Sequence, residues 1–313
     1  MTFVHWDDVE GFAIPDNAKP LGGRWQRLGD AAGSVRVGMQ RVSLTSGQLA
    51  TPPHLHTAEE EIYFVLSGSA TLWQDGKTCT VHTGDTIVFV PGGPTHTLIG
   101  DDGFEALIFG TRLTPESGVL PRTKTAWLAR SPVHFSETHP WEQEAKLGLP
   151  EGEPGDRPPN VAALDEVEGD YGGLWKRVGA AGGAKRTGLN WAFLPPNEEG
   201  AAPHCHSADE ELFVILDGEG IFELWGPPAP GKAPATEPLE SHPVRAGHVI
   251  SRPASTARSH CLRTRDSPMT YLAYGTREPN DVLYYPRSNK IYWRGLGLIA
   301  RLEPLDYFDG EPG

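Results

Sequence analysis

Two short histidine signatures stand 150 residues apart in this chain: His54-Leu-His56 with Glu61 after it, and His204-Cys-His206 with Glu211 after it. A third histidine follows in each half, His96 and His260. Three imidazoles and one carboxylate, supplied twice, make two candidate metal sites. Nitrogen and carboxylate donors together suit Mn, Fe, Ni, Cu or Zn, whereas Mg and Ca favour all-oxygen shells. Four such ligands leave one or two positions open on a five- or six-coordinate metal, where water, substrate or dioxygen would bind. The expectation is one divalent transition metal in each half, held by His54, His56, Glu61 and His96 and by His204, His206, Glu211 and His260.

The surroundings of the two signatures repeat as well. Trp25 to Gly68 can be laid on Trp175 to Gly218 without a gap, so that Trp25 meets Trp175, Arg27 meets Arg177, and Pro53 meets Pro203. Further on, Gly110-Thr111-Arg112 returns as Gly275-Thr276-Arg277, and Pro121-Arg122 as Pro286-Arg287. Two copies of one domain follow from this self-similarity. The expected units are 1–140, a Pro-, Gly- and acid-rich linker over 141–172, and 173–313.

Elements that would carry these residues read as short strands. Apolar runs such as Glu61-Ile-Tyr-Phe-Val-Leu66, Thr86-Ile-Val-Phe-Val90 and Glu211-Leu-Phe-Val-Ile-Leu216 are rich in β-branched and aromatic residues. Glycines and prolines punctuate them throughout. Residues two apart on a strand face the same way, so each H-x-H pair aims both imidazoles at one interior. The prediction is all-β, with a barrel or two-sheet sandwich in each half. Helix is expected only near Pro140–Leu147 and after Pro279, and the insertion Gly226–Pro243 reads as an exposed loop.

Together these residues resemble the cupin superfamily. Gly47, His54, His56, Glu61 and Gly68 match its first motif, as do Gly200, His204, His206, Glu211 and Gly218. Gly84, Pro91, Gly93 and His96 match the second motif, with Gly100 where an asparagine usually closes it. Gly247, Pro253 and His260 match it with two extra residues before the histidine and Ser255 in place of glycine. The motif spacing favours Glu61 and Glu211 as ligands over Glu60 and Glu210, which then read as turn residues. The resemblance implies two tandem jelly-roll barrels, a bicupin. It implies a metal-dependent enzyme on an oxygen-rich small molecule, read first as a dioxygenase-like oxidoreductase. The alternatives are an isomerase or lyase on a sugar or small acid, and a non-catalytic storage-type cupin. A carboxylate behind the ligands, or Tyr63, which shares strand parity with Glu61, is the candidate for moving protons.

The net charge of −14 argues against nucleic acid or an anionic membrane as a partner. Cys79, Cys205 and Cys261 show no pairing pattern, and no basic-then-apolar leader opens the chain, so a reduced cytoplasmic setting is expected. Cys205 and Cys261 read as packing residues. His5, His82, His134, His139, His242 and His248 read as surface or loop positions. Arg112, Arg122, Arg277 and Arg287 read as ion-pair partners between the halves in preference to anion ligands. The apolar run Ile291–Ile299 is suited to cover the other half or a second subunit, which favours a homo-oligomer, a dimer or higher. The tighter second motif favours the first site if only one is catalytic.

Overall fold

The computed structural model describes residues 2–101, 103–113, 115–128, 131–132, 139–227, 233–301, 305–306 and 308–310. Its architecture is all-β, with three short α-helices among the described residues. In the first half the main sheet runs Val161–Ala163, Asp85–Phe89, Glu61–Ser67, Phe104–Thr111, Val37–Leu44, Arg24–Gln26 and Gly11–Ala13 from edge to edge. A second sheet holds His96–Gly100, Ser69–Gln74, Lys77–His82 and Glu153–Pro154. In the second half the corresponding order is Thr2–His5, His248–Arg252, Glu211–Trp225, Met269–Thr276, Thr187–Leu194, Trp175–Lys176 and Gly169–Asp170. Neighbours in both main sheets are antiparallel. Glu211–Trp225 continues into the second sheet, pairing there with Glu240–Arg245 and Ser259–Arg263. Gly68 and Gly218 mark the same bend, with φ of 71° and 76°. At Gly218 a Cβ would lie 2.1 Å from the Pro268 carbonyl oxygen, so only glycine fits.

The continuous apolar runs are explained by burial on both strand faces. Tyr63 and Val65 point into the first barrel, and Phe213 and Ile215 into the second. Their neighbours Ile62, Phe64, Leu212 and Val214 point the other way, into a core shared by both halves with Phe109 and Tyr274. The barrels therefore pack main sheet against main sheet. They also exchange edge strands: Thr2–His5 pairs with His248–Arg252 of the second barrel, and Val161–Ala163 pairs with Asp85–Phe89 of the first.

A helix covers Pro140–Leu147, opened by proline and capped by the His139 side chain. The helix expected after Pro279 is not formed. Val282–Tyr285 is a strand there, as its β-branched and aromatic residues favour, paired with Cys205–His206 and Lys290–Trp293. Lys290–Trp293 and Leu298–Arg301 form a hairpin that leaves Leu296, Leu298 and Ile299 exposed. Of the insertion, residues 226–227 and 233–239 form a loop and Glu240–Arg245 a strand. His134 lies outside the described residues.

Candidate metal centres

In each barrel a pair of strand crossings gathers the ligands. His54 and His96 exchange backbone hydrogen bonds of 3.1 and 2.9 Å, and His204 and His260 exchange bonds of 3.2 and 2.9 Å. These crossings bring distant motifs face to face. Glu61 opens its strand between Phe89 and Gly110, and Glu211 opens its own between Arg252 and Gly275.

In the first barrel one ligand atom from each of His54, His56, Glu61 and His96 lies within 4.8 Å of the others. His54 Nε2 stands 3.2 Å from His56 Nε2, and His96 Nε2 stands 3.1 Å from Glu61 Oε2. The outer nitrogens are all engaged. Nδ1 of His54 meets the Pro52 carbonyl at 2.9 Å, that of His96 the Pro94 carbonyl at 3.0 Å, and that of His56 the Glu116 carboxylate at 3.1 Å. Carbonyl and carboxylate oxygens only accept, so each Nδ1 carries a hydrogen and each Nε2, turned toward the other ligands, is the atom a metal would take. The donor set therefore fits a transition metal.

Burial, with the neighbouring His96 and His56, pushes His54 down to about 3. Burial also opposes charge on His56, but its bonds to Glu116 and Glu61 outweigh it and lift that imidazole to about 10. Glu61 is held well below the usual carboxylate range by His56 and His96 despite its burial. The cage is thus built to hold positive charge.

The second barrel brings His204, Glu211 and His260 into one cluster, and His206 with Asp209 and Asp281 into another. His206 still reaches the first of these, with Nε2 at 3.3 Å from Glu211 Oε2. His260 Nε2 lies 3.0 Å from the same oxygen. His206 Nε2, His260 Nε2 and Glu211 Oε2 are buried without a properly formed hydrogen bond, as fits atoms that would ligate a cation.

Two carboxylates were missed from sequence. Glu116 and Asp281 each hold the Nδ1 of an H-x-H histidine, Asp281 at 2.6 Å from His206. Each also accepts from backbone N–H groups of the turn after that histidine. Both stand five residues beyond the threonine of the repeated Gly-Thr-Arg, and that was the available signal.

Glu60 and Glu210 are more than turn residues. Glu60 is fully buried and accepts from the backbone N–H groups of Lys185, Arg186 and Thr187 in the other barrel. Glu210 does the same for Val35, Arg36 and Val37. The repeated arginines, by contrast, do not join the halves: Arg112 binds Asp30 and the Ser34 carbonyl, Arg122 faces Glu144, and Arg287 binds Glu199. Inter-barrel pairing falls to Arg36 with Glu278. Cys205 and Cys261 are buried, as expected of packing residues.

Each centre opens on a cavity. The first, of about 320 Å³, is lined by His54, His56, Glu59, Glu116, Leu120 and Trp141. The second, of about 740 Å³, reaches His204, His206, Glu211 and His260 and is walled by Arg177, Arg277 and Arg294. Arg277 makes no side-chain hydrogen bond or ion pair among the described residues, and Ala180 stands where the first copy has Asp30, the carboxylate that pairs with Arg112. Arg177 pairs with Asp170 and Arg294 with Asp209 and Asp281, so Arg277 is the wall arginine left to meet an anionic ligand. Tyr63 is 1% exposed and sits edge-on to Phe89, touching Glu61 from the core side and not the cavity.

Residues 40–108 match the cupin domain family model. No curated protein matches the chain by sequence. Among solved structures, a Bacillus subtilis oxalate decarboxylase studied for its Mn(II) centres superposes with a TM-score of 0.59 at 16% identity, over 90% of this chain and 79% of its own. A Lactobacillus farciminis oxalate decarboxylase in a formate complex superposes at 0.58 and 16% identity, over 88% and 86%. Both superpositions run through the two barrels. The fold is that of two tandem cupin barrels. Among the described residues of this bicupin no helix is long and apolar enough to cross a membrane.

Proposed function

We propose that this bicupin is a metal-dependent enzyme for a small oxygen-rich molecule, and that its reaction is lyase chemistry on an organic acid. The observation that carries the metal reading is the first cage: four inward donors within 4.8 Å at the wall of an open cavity. The lyase reading draws on the neighbours, whose names describe oxalate decarboxylases with Mn(II) centres. Arg277 on the wall of the second cavity adds to it. The dioxygenase expectation takes no support from those neighbours. It survives as a second reading only because His and Glu suit iron as well as manganese.

A divalent ion held by His54, His56, Glu61 and His96 would supply Lewis acidity to substrate oxygens. The chain's own residues do the rest. Glu116 fixes the tautomer and orientation of His56, as outer carboxylates do for metal-bound histidines. Tyr63 steadies Glu61 from the core, a positioning task and not a proton relay. Leu120 and Trp141 give the cavity an apolar wall beside the histidines. The test is a panel of small carboxylic acids, oxalate included, incubated with manganese-loaded protein while carbon dioxide and dioxygen are both followed. Carbon dioxide release without dioxygen consumption is expected. Stoichiometric dioxygen uptake instead would transfer the assignment to the oxidoreductase reading.

A further inference from the structure

The two centres share their ligand types but differ in what touches the third histidine. Across the main sheet Glu61 is paired with Phe89, and at the equivalent position Glu211 is paired with Arg252. Phe89 lies flat on His96, with ring centroids 3.4 Å apart and planes at 5°. It leaves His96 Nδ1 free to donate to Pro94 and Nε2 to face the cage. Arg252 is 4% exposed and donates from Nε to His260 Nδ1 at 3.3 Å. Its other contacts include Thr256 Oγ1 at 3.2 Å and the Arg258 carbonyl.

A guanidinium has donors only, so His260 Nδ1 must accept. The ring hydrogen of the neutral imidazole then sits on Nε2, the atom that would ligate. Arg252 also fixes a buried positive charge one ring away from the cage, which opposes a second cation there. The orphaned donors of His206, His260 and Glu211 keep the cage receptive, so the effect is a handicap and not a closure.

We infer that the two barrels are unequal toward divalent cations: the first centre takes the metal, the second binds it at least about tenfold more weakly, and Arg252 sets the difference. The inference rests on the metal-dependent reading. The test is calorimetric titration of chelator-treated protein with manganese chloride alone, with equilibrium dialysis for stoichiometry. Wild type is expected to show one tight equivalent, lost in His54→Ala, and one weaker equivalent, lost in His204→Ala. Arg252→Met keeps the stem and removes the charge, and should bring the two within about threefold. The reciprocal Phe89→Arg should weaken the tight equivalent about tenfold. Two equal equivalents in wild type, or an unequal pair unchanged by Arg252→Met, overturn the inference. No manganese binding in any protein overturns the metal reading itself. If Arg252→Met does not fold by circular dichroism, the wild-type isotherm and the two histidine variants decide alone.

Discussion

Glu116 and Asp281 show how the metal reading reaches past the ligands. Each gives a histidine its tautomer and pins the following turn, so removing one should loosen the cage without touching a ligand. Glu116→Ala is expected to lower manganese affinity at the first centre about 10- to 100-fold, with Glu116→Gln milder. Equilibrium dialysis checks it, and unchanged affinity in Glu116→Ala would remove the supporting role. The candidate ligands could be named from sequence because an H-x-H on a strand is a local signal. Glu116 lies 60 residues from His56 and Asp281 lies 75 from His206, so their pairing depends on a strand crossing that periodicity does not report. The Phe89 and Arg252 exchange was hidden for the same reason. Both stand in strand-like runs, and only the register puts them opposite the glutamates.

At the scale of elements, the repeat predicted duplicated barrels and the apolar runs predicted their strands. What they did not reveal is reciprocity. The first strand closes the second barrel, and Val161–Ala163, within the stretch expected to link the barrels, closes the first. A four-residue strand carries no record of its partner. Glu60 and Glu210 are the polar half of the same reciprocity, each binding three backbone N–H groups across the interface. Truncation would leave those donors buried and unsatisfied. Glu60→Ala and Glu210→Ala should each cost about 3 kcal/mol by urea unfolding, nearly equally because the contacts are symmetric. A loss below about 0.5 kcal/mol, the scale of an ordinary surface change, would mean that the latch is not structural.

For the whole molecule, the shared core of the two main sheets makes the barrels one body, and it leaves the apolar C-terminal hairpin outside. The C-terminal hairpin exposes Leu296 by 67%, Leu298 by 48% and Ile299 by 62%, so it does not cover the other half as its composition allowed. Self-association through that face is the remaining part of the expectation. Light scattering should find a dimer or higher oligomer, and Leu298→Glu with Ile299→Glu should yield monomers that keep their circular dichroism. A wild-type monomer at micromolar concentration would end the homo-oligomer proposal.

The proposed function depends on the converged histidines and Glu61 holding a metal. Elemental mass spectrometry of protein purified from metal-replete cells tests it most directly, with wild type compared to His54→Ala/His96→Ala. Wild type is expected to hold close to one transition-metal ion per chain or more, falling by about one in the variant while the fold is retained. Equal metal content in the two proteins, or none in wild type, would contradict it.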